Sequence, residues 1–317
     1  MQLRSAQVAQ NINRRLERLL PLLFPFGVAL GFALPGVFMH VRPFVPMLFG
    51  LITLSGALGL TFREFGVTVR SPLPIILFMA VNRLLMPLIA MLAANVFFAS
   101  NREIVTGFVL LFSGPMAVAS FIWVGIFKGD KALCLTLLLL DTLLAPLVVP
   151  GTLSILMGET VEMNMGGIAL SLVYMVVIPT IVGIVVNETS GGRIPVRVSP
   201  YLSPASKMMF LFVIAANTSV VAPAVSFGDS LVWKVAALSL LLSLTGFMAA
   251  RLLGIAAKCT PEKKIALFFS GGLKNVSAIA TIAVAFFPET VALPVIVTIA
   301  LQQVLAAVMS KFGLRRL

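Results

Sequence analysis

Ten long apolar stretches, separated by short polar segments, constrain this chain more than any other feature of its sequence. They cover positions 19–38, 44–62, 73–98, 104–127, 131–156, 164–186, 207–226, 231–256, 262–287 and 289–311. A helix needs about 20 apolar residues to cross a bilayer. Only 11% of the residues are charged, against about 25% in soluble domains. The sequence therefore predicts an all-α membrane protein with ten transmembrane helices, embedded in the lipid bilayer.

The basic residues fall mostly on one side of the predicted membrane. With residue 1 in the cytoplasm, eighteen lysines and arginines face the cytoplasm, and Arg42, Arg102 and Lys234 face the other side. Because cytoplasmic loops are enriched in basic residues, we expect a multi-pass protein of the plasma (inner) membrane with both termini cytoplasmic and residues 1–18 as an N-terminal cap. The net charge of +12 is scattered between apolar runs, which argues against a nucleic-acid partner.

The chain contains an internal repeat. Residues 112–120 and 269–277 share a Phe-Ser-Gly start and a final serine, at an offset of 157 residues. This predicts two five-helix repeats, over 19–160 and 161–317. Since each repeat has an odd number of spans, the second must be inverted relative to the first, which is typical of secondary transporters. The longest connector, 187–206, is predicted within the second repeat.

Helix breakers lie at matching places in the two repeats. Gly114-Pro115 in the fourth span and Gly271-Gly272 in the ninth weaken or block a regular helix. Such breaks allow kinked packing, or they form a mid-membrane site where half-helix N-termini attract anions. The sequence predicts that substrate contacts the broken segments, with two glutamines as neutral donors. The candidate residues are Ser113, Gly114, Pro115, Val118, Ser120, Ser270, Gly271, Gly272, Asn275, Ser277, Gln302 and Gln303.

Three charged side chains lie inside predicted spans: Arg83, Asp141 and Lys274. A charge at membrane depth costs several kcal/mol unless it is paired or lines a watery cavity. We expect Asp141 to pair with Arg83 or Lys274 in the protein core. The group is then either a static ion pair or part of an ion-coupling mechanism, in which a buried lysine can release its proton more readily than an exposed one.

These motifs resemble those of the bile acid:sodium symporter family in order along nearly the whole chain. The matching segments are Gly59-Leu60-Thr61 with Phe65, Asn82–Pro87, Gly114-Pro115, Lys128-Gly129-Asp130, Ala145-Pro146-Leu147, Gly271-Gly272 with Asn275, Pro294 and Gln302-Gln303. The resemblance implies a core of spans 3–5 and 8–10, a panel of spans 1–2 and 6–7, and unwound, crossing fourth and ninth helices. It also implies transport of bile acids or other carboxylates.

Most sodium-ligand positions of that family carry other residue types here. By the resemblance, a glutamine is replaced by Arg83, a second glutamine by Lys274, and a glutamate by Ser270. The other ligand positions hold Ser120, Phe121, Cys134, Leu138 and Asn275. We therefore expect tethered cations in place of bound sodium, with no cofactor and no metal.

The predicted function is a secondary transporter of a small organic anion by alternating access, either sodium-independent or linked to protons. Two alternatives stay open: a sodium-coupled anion symporter with relocated ligands, and a membrane sensor that binds a ligand without passage. A cation/proton antiporter would need a second intramembrane carboxylate beside Asp141. An enzyme is not expected, since the single His40 and the scattered Cys134 and Cys259 form no catalytic or metal-ligating spacing. The oligomeric state stays open.

Overall fold

The computed structural model describes residues 2–61, 72–158, 164–226 and 228–313, and within these ranges the regular structure is helical. The α-helices are, in chain order, α1 Gln2–Ala33, α2 Pro35–Phe38, α3 Val45–Ala57, α4 Pro72–Ala80, α5 Met86–Phe98, α6 Arg102–Ser113, α7 Ala119–Ile126, α8 Lys131–Met157, α9 Met165–Leu172, α10 Ile178–Thr189, α11 Arg193–Val221, α12 Ser230–Ala256, α13 Pro261–Gly272, α14 Val276–Phe286 and α15 Glu289–Gly313. The predicted all-α class is confirmed.

Seven helical stretches in the described part of the chain are long and apolar enough to cross a bilayer. They are Pro35–Ala57, Pro72–Phe98, Lys131–Met157, Met165–Thr189, Arg193–Val221, Ser230–Ala256 and Glu289–Lys311. The other three predicted spans fall on α1, whose apolar part is Leu22–Ala33, and on two helices that are interrupted, α6–α7 and α13–α14. The chain is therefore a multi-pass membrane protein.

Small residues bring the helices into close contact. A Cβ added to Gly31 of α1 would lie 2.6 Å from the Ala215 carbonyl oxygen of α11, and one added to Gly107 of α6 would lie 2.3 Å from the Val291 carbonyl oxygen of α15. In a bilayer, helices associate through such close packing because lipid tails compete with apolar side chains. α11 packs on α1, α3 and α10, α3 also packs on α10, and α12 packs on α13 and α15.

Two transmembrane helices contain a wider, π-helical turn just before a proline. Val81–Leu85 joins α4 to α5 ahead of Pro87, and Val173–Val177 joins α9 to α10 ahead of Pro179. Proline lacks the N–H group and its ring clashes with the carbonyl four residues earlier. The π turn accommodates both effects, and in the first case it contains Arg83.

The predicted connector at 187–206 is wrong. α10 ends at Thr189, and α11 begins at Arg193 after a three-residue turn. Gly191 and Gly192 supply that turn with φ angles of +57° and +78°, which glycine adopts without steric cost. Pro195 lies in the first turn of α11, where its missing N–H costs nothing. Pro200 and Pro204 lie inside the helix, so these prolines are not linker residues.

The predicted N-terminal cap is part of a helix, because α1 begins at Gln2. The predicted boundary between the repeats, at 160 and 161, lies outside the described residues. The same holds for Phe65 of the family motif and for the loop arginines 63 and 70.

Candidate functional site

The two interrupted helices meet at their interruptions. Met116, between α6 and α7, forms an isolated antiparallel bridge with Lys274, between α13 and α14. The Ala117 N–H donates to the Leu273 carbonyl over 2.9 Å, and the Asn275 N–H donates to the Pro115 carbonyl over 2.7 Å. Backbone groups that leave a helix inside a membrane need such partners. The predicted interruptions are thus present, and the backbone groups of each one hydrogen-bond to those of the other.

The glycines of the interruptions allow close packing. A Cβ on Gly272 would lie 2.1 Å from the Phe247 ring, and one on Gly271 would lie 2.5 Å from the Ala250 side chain. Gly114 has the same relation to Ile279, at 2.5 Å. None of the three has a positive φ, so the space available, and not the backbone conformation, demands glycine there.

A buried ion pair holds the first interruption. The Arg83 Nε donates to Asp141 Oδ1 over 2.5 Å, and the two residues are 4% and 0% exposed. Asp141 Oδ2 accepts from the Met116 N–H over 2.5 Å. Arg83 also donates to the carbonyls of Ser113, over 2.5 Å, and of Asp141, over 2.6 Å. Of the two expected pairings for Asp141, the structure has the one with Arg83.

Lys274 is held by neutral oxygen atoms. Its Nζ donates to Asn82 Oδ1 over 2.8 Å and to the Phe112 carbonyl over 2.9 Å. The Gly114 and Asn82 carbonyls accept from it over 3.3 and 3.4 Å. Phe112 and Gly114 lie at the C-terminus of α6, where the helix dipole favours a cation. The ammonium therefore occupies a set of oxygens of the kind that would ligate a metal cation.

The other sodium-ligand positions also do not fit a sodium ion. Ser270 Oγ contacts the sulfur of Cys134 at 3.5 Å, and both residues are fully buried. Leu138, also buried, offers no ligand atom. Sodium, a hard cation, takes oxygen ligands, and a fixed ammonium at hydrogen-bond distance from the remaining oxygens repels it. Lys274, Ser270, Cys134 and Leu138 therefore do not form a sodium site of the kind that the resemblance implies.

Two glutamines of α15 complete the second interruption. Gln302 binds the Lys274 backbone twice: its Oε1 accepts from the N–H over 2.9 Å, and its Nε2 donates to the carbonyl over 2.8 Å. Gln303 Oε1 accepts from Trp123 Nε1 over 3.1 Å. Asn275 caps α14, accepting from the Ala278 N–H over 3.4 Å.

A cavity of about 160 Å³ lies against one face of this crossing. Six predicted site residues line it: Val118, Lys274, Asn275, Ser277, Gln302 and Gln303. The remaining predicted residues do not line it: Arg83, Ser113, Gly114, Pro115, Ser120, Asp141, Ser270, Gly271 and Gly272. α7 and α14 both begin at the cavity wall, so their N-terminal ends, with positive dipole potential, lie beside it.

Ser277 is the unsatisfied polar group of this wall. It is 1% exposed, and its Oγ has no hydrogen-bond partner among the described residues. It lies in the first turn of α14 and lines the cavity. A buried hydroxyl without a partner costs about 1–3 kcal/mol. A ligand in the cavity that accepts a hydrogen bond would remove this cost.

The opposite wall was missed by sequence reasoning. It is formed by α1, α3 and α11 and includes Ser55, Ser203, Ser206 and Lys207. Ser203 and Lys207 are four residues apart and share a helix face, but the prolines around them suggested a connector. The sequence feature that indicates this wall is the helical spacing, 3.6 residues per turn, of polar groups within an otherwise apolar segment.

In the described residues this multi-pass membrane protein is helical, with two paired, broken helices and a cavity at their crossing, which is the architecture of a membrane transporter. The model of the sodium bile acid symporter family matches residues 45–227. The chain belongs to this family.

Similar proteins occur in bacteria and plants. The chain is 38% identical to the uncharacterized protein YbaS of Bacillus subtilis (strain 168), over 91% of this chain and 94% of YbaS. It is 29% identical to the same organism's uncharacterized sodium-dependent transporter YocS, over 50% of this chain and 49% of YocS. It is also 29% identical to the probable chloroplastic sodium/metabolite cotransporter BASS2 of rice, Oryza sativa subsp. japonica, over 56% of this chain and 43% of BASS2.

Proposed function

We propose that this protein is a secondary transporter of an organic anion that works by alternating access without bound sodium. The observation that carries the proposal is the cavity wall at the crossing. There the N-terminal ends of α7 and α14, the Asn275 cap and the unpartnered Ser277 hydroxyl face one space. Helix N-termini bind anions, and a carboxylate accepts from hydroxyl donors.

The proposed architecture has ten transmembrane helices in two inverted five-helix repeats. The antiparallel bridge between Met116 and Lys274 supports this, since repeat-related segments of opposite orientation meet there. In this arrangement α4–α8 and α12–α15 form a core, and α1–α3 with α9–α11 form a panel. The cavity lies between them, so rocking of one body against the other would expose it alternately.

Within the ion-coupling proposal, Arg83 and Lys274 have different roles. Arg83 is paired with the Asp141 carboxylate and also donates to two carbonyls. Among the described residues, the Lys274 ammonium donates to neutral oxygens, so it can gain or lose a proton without breaking an ion pair. Lys274 is therefore the candidate for proton coupling. Transport is facilitative if its charge never changes.

Replacing Lys274 by glutamine tests the proposal. Purified protein in liposomes would be assayed for uptake of labelled carboxylates at two pH values, in sodium and in choline. We expect wild-type uptake to be equal in both salts, and the Lys274→Gln variant to lose pH dependence and most of its rate. The exposed Lys311 provides the control variant Lys311→Gln. Wild-type uptake that requires sodium contradicts the proposal, and an unchanged pH profile in Lys274→Gln removes the role of Lys274.

A second candidate is a sodium-coupled anion symporter whose ion ligands lie elsewhere in the chain. The names of the YocS and BASS2 relatives favour it. A melting temperature that rises with sodium but not with choline would support this candidate, because a ligand of the native state stabilises it. Flux in liposomes, as opposed to binding alone, separates both candidates from a ligand sensor.

A further inference from the structure

The amide of Gln303, on the cavity wall, is bound at one end by Trp123. Its Oε1 accepts from Trp123 Nε1 over 3.1 Å, and Trp123 itself lies outside the described lining of the cavity. The indole N–H is the polar group of a tryptophan side chain, and it can only donate. The amide oxygen of Gln303 therefore has to face Trp123, so the amino group is the end that remains for the cavity.

Aromatic stacking holds the indole of Trp123 in one orientation. Its ring centroid lies 5.6 Å from that of Phe269 on α13, at an interplanar angle of 17°, and 6.3 Å from that of Phe127, at 12°. Phe269 is fully buried, which anchors the stack in the protein core. Stacked aromatic pairs stabilise one another, and a fixed ring plane also fixes the direction of the indole N–H bond.

The neighbouring Gln302 shows a different use of an amide. Its Oε1 and its Nε2 both bind the backbone of Lys274, over 2.9 and 2.8 Å, so its amide holds the second interruption. Trp123 engages the oxygen of Gln303 alone. Of the two glutamines on the cavity wall, Gln303 is therefore the one that is oriented by a side chain outside the wall.

An amino group at this place agrees with the rest of the wall. The unpartnered Ser277 hydroxyl and the N-terminal end of α14 lie along the same cavity. A carboxylate only accepts hydrogen bonds, so it binds an amino group and is repelled by an amide oxygen. If the Gln303 amide turned by 180°, it would present that oxygen to the cavity and lose its hydrogen bond to Trp123.

Resting on the proposed transport function, we infer that Trp123 is a positioning residue for the substrate. It holds the amide of Gln303 with the amino group toward the cavity, and it thereby makes this part of the wall specific for ligands that accept hydrogen bonds. Trp123 acts through Gln303 and does not touch the ligand.

A double-mutant cycle on the purified full-length protein tests this inference. Calorimetry would measure the affinity for butyrate, benzoate and phenylacetate in the wild type, Trp123→Phe, Gln303→Leu and the double variant. Trp123→Phe keeps an aromatic ring for the stack and removes the N–H. For the carboxylate that binds best, we expect Gln303→Leu to weaken binding about tenfold and Trp123→Phe about three- to tenfold. The double variant should bind no more weakly than Gln303→Leu, because residues that act as one unit are not additive.

Two comparisons separate positioning from packing. Trp233 is exposed on α12, so Trp233→Phe is the matched control and should leave the affinity unchanged. In liposomes, Trp123→Phe should raise the KM for the same carboxylate by the factor seen in calorimetry and leave the maximal rate within about twofold. A variant that damaged the packing of the helix crossing would lower the maximal rate as well.

Nuclear magnetic resonance gives a readout that leaves Trp123 in place. The chain has two tryptophans, so in Trp233→Phe the indole N–H signal belongs to Trp123. This signal should move when the carboxylate is added, because hydrogen bonds in a chain polarise one another. In Trp233→Phe combined with Gln303→Leu, the carboxylate should no longer move it.

The outcomes separate this inference from the proposed function. Additive losses in the cycle, or an unchanged affinity in Trp123→Phe, overturn the positioning role. If Ser277→Ala still weakens carboxylate binding in that case, the proposed anion site stands alone. Absence of binding by all three carboxylates overturns both. If Trp123→Phe does not fold, the indole signal decides, and a signal that the carboxylate does not move overturns the inference.

Discussion

The two helix interruptions occupy matching positions of the repeat, yet different chemistry holds each of them. In the first, the carboxylate of Asp141 on α8 accepts from the Met116 N–H. In the second, the amide of Gln302 on α15 accepts from the Lys274 N–H. Each acceptor comes from the helix that follows the whole interrupted span, α8 after α6–α7 and α15 after α13–α14. In both interruptions, one side chain of that next helix thus binds the backbone N–H of a bridged residue.

We call the Asp141 contact the charged clamp and the Gln302 contact the neutral clamp. The choice of a carboxylate in one and an amide in the other explains part of the charge inside the membrane. An amide both accepts and donates, so Gln302 hydrogen-bonds to the N–H and to the carbonyl of Lys274 and needs no charged partner of its own. A carboxylate only accepts, and it needs a cation at membrane depth. Arg83 supplies that cation and donates to the Ser113 carbonyl as well. In our proposal the Arg83–Asp141 pair is therefore a structural clamp, and Lys274 is the candidate for proton coupling.

Breaking the charged clamp should have the largest effect on stability. Asp141→Asn leaves Arg83 buried without a counter-charge, and we expect the free energy of unfolding to fall by about 3–5 kcal/mol. The double variant Arg83→Gln/Asp141→Gln imitates the neutral clamp and should recover most of this loss. Melting temperatures in detergent measure both. If Asp141→Asn is as stable as the wild type, the ion pair does not hold the first interruption.

Breaking the neutral clamp should have an intermediate effect. Gln302→Leu leaves the N–H of buried Lys274 unpaired, at a cost of about 1–3 kcal/mol, while the Lys274 carbonyl keeps its hydrogen bond from the Val276 N–H. The adjacent Gln303→Leu is the matched control. It removes a single hydrogen bond, to the half-buried Trp123, and should cost about 1 kcal/mol or less. Equal melting temperatures for the two variants would show that Gln302 does not hold the interruption.

The smallest loss of stability is expected where the second interruption faces the cavity. Ser277→Ala removes a buried hydroxyl that has no partner among the described residues, so the unfolding free energy should not fall, and it should rise by up to about 1–3 kcal/mol, the cost of that hydroxyl. Its neighbour Asn275 caps α14, and Asn275→Ala should cost about 1 kcal/mol. A destabilisation by Ser277→Ala as large as that of Asn275→Ala would mean that Ser277 serves packing and not a ligand.

Several parts of the fold and site were accessible from sequence because they depend on local chemistry. Long apolar runs must be helical in a bilayer, where each backbone group needs an internal partner. Gly114-Pro115 and Gly271-Gly272 marked the interruptions, since proline and glycine disturb helices wherever they occur. Arg83 and Asp141 were expected to pair because an isolated charge in an apolar region is costly.

Other parts depended on contacts between distant segments. The start of α11 at Arg193 was missed because prolines that favour a linker are tolerated in this helix. The oxygens around Lys274 come from positions 82, 112 and 114, and no spacing in the sequence indicates that they converge. Lys207 is one of the eighteen basic residues that the charge bias assigns to the cytoplasmic side, and the structure places it on the cavity wall.

The amino-acid sequence by itself determined the membrane-embedded helical class, the two breaks and the need for charge pairing, because hydropathy and backbone chemistry act within one helical turn or one bilayer thickness. Only the tertiary structure decided which cation pairs with Asp141, which residues face the cavity and what lies opposite them. These choices follow from the packing of helices more than a hundred residues apart in the chain, as between Ser55 and Ser206, and such packing depends on three-dimensional fit.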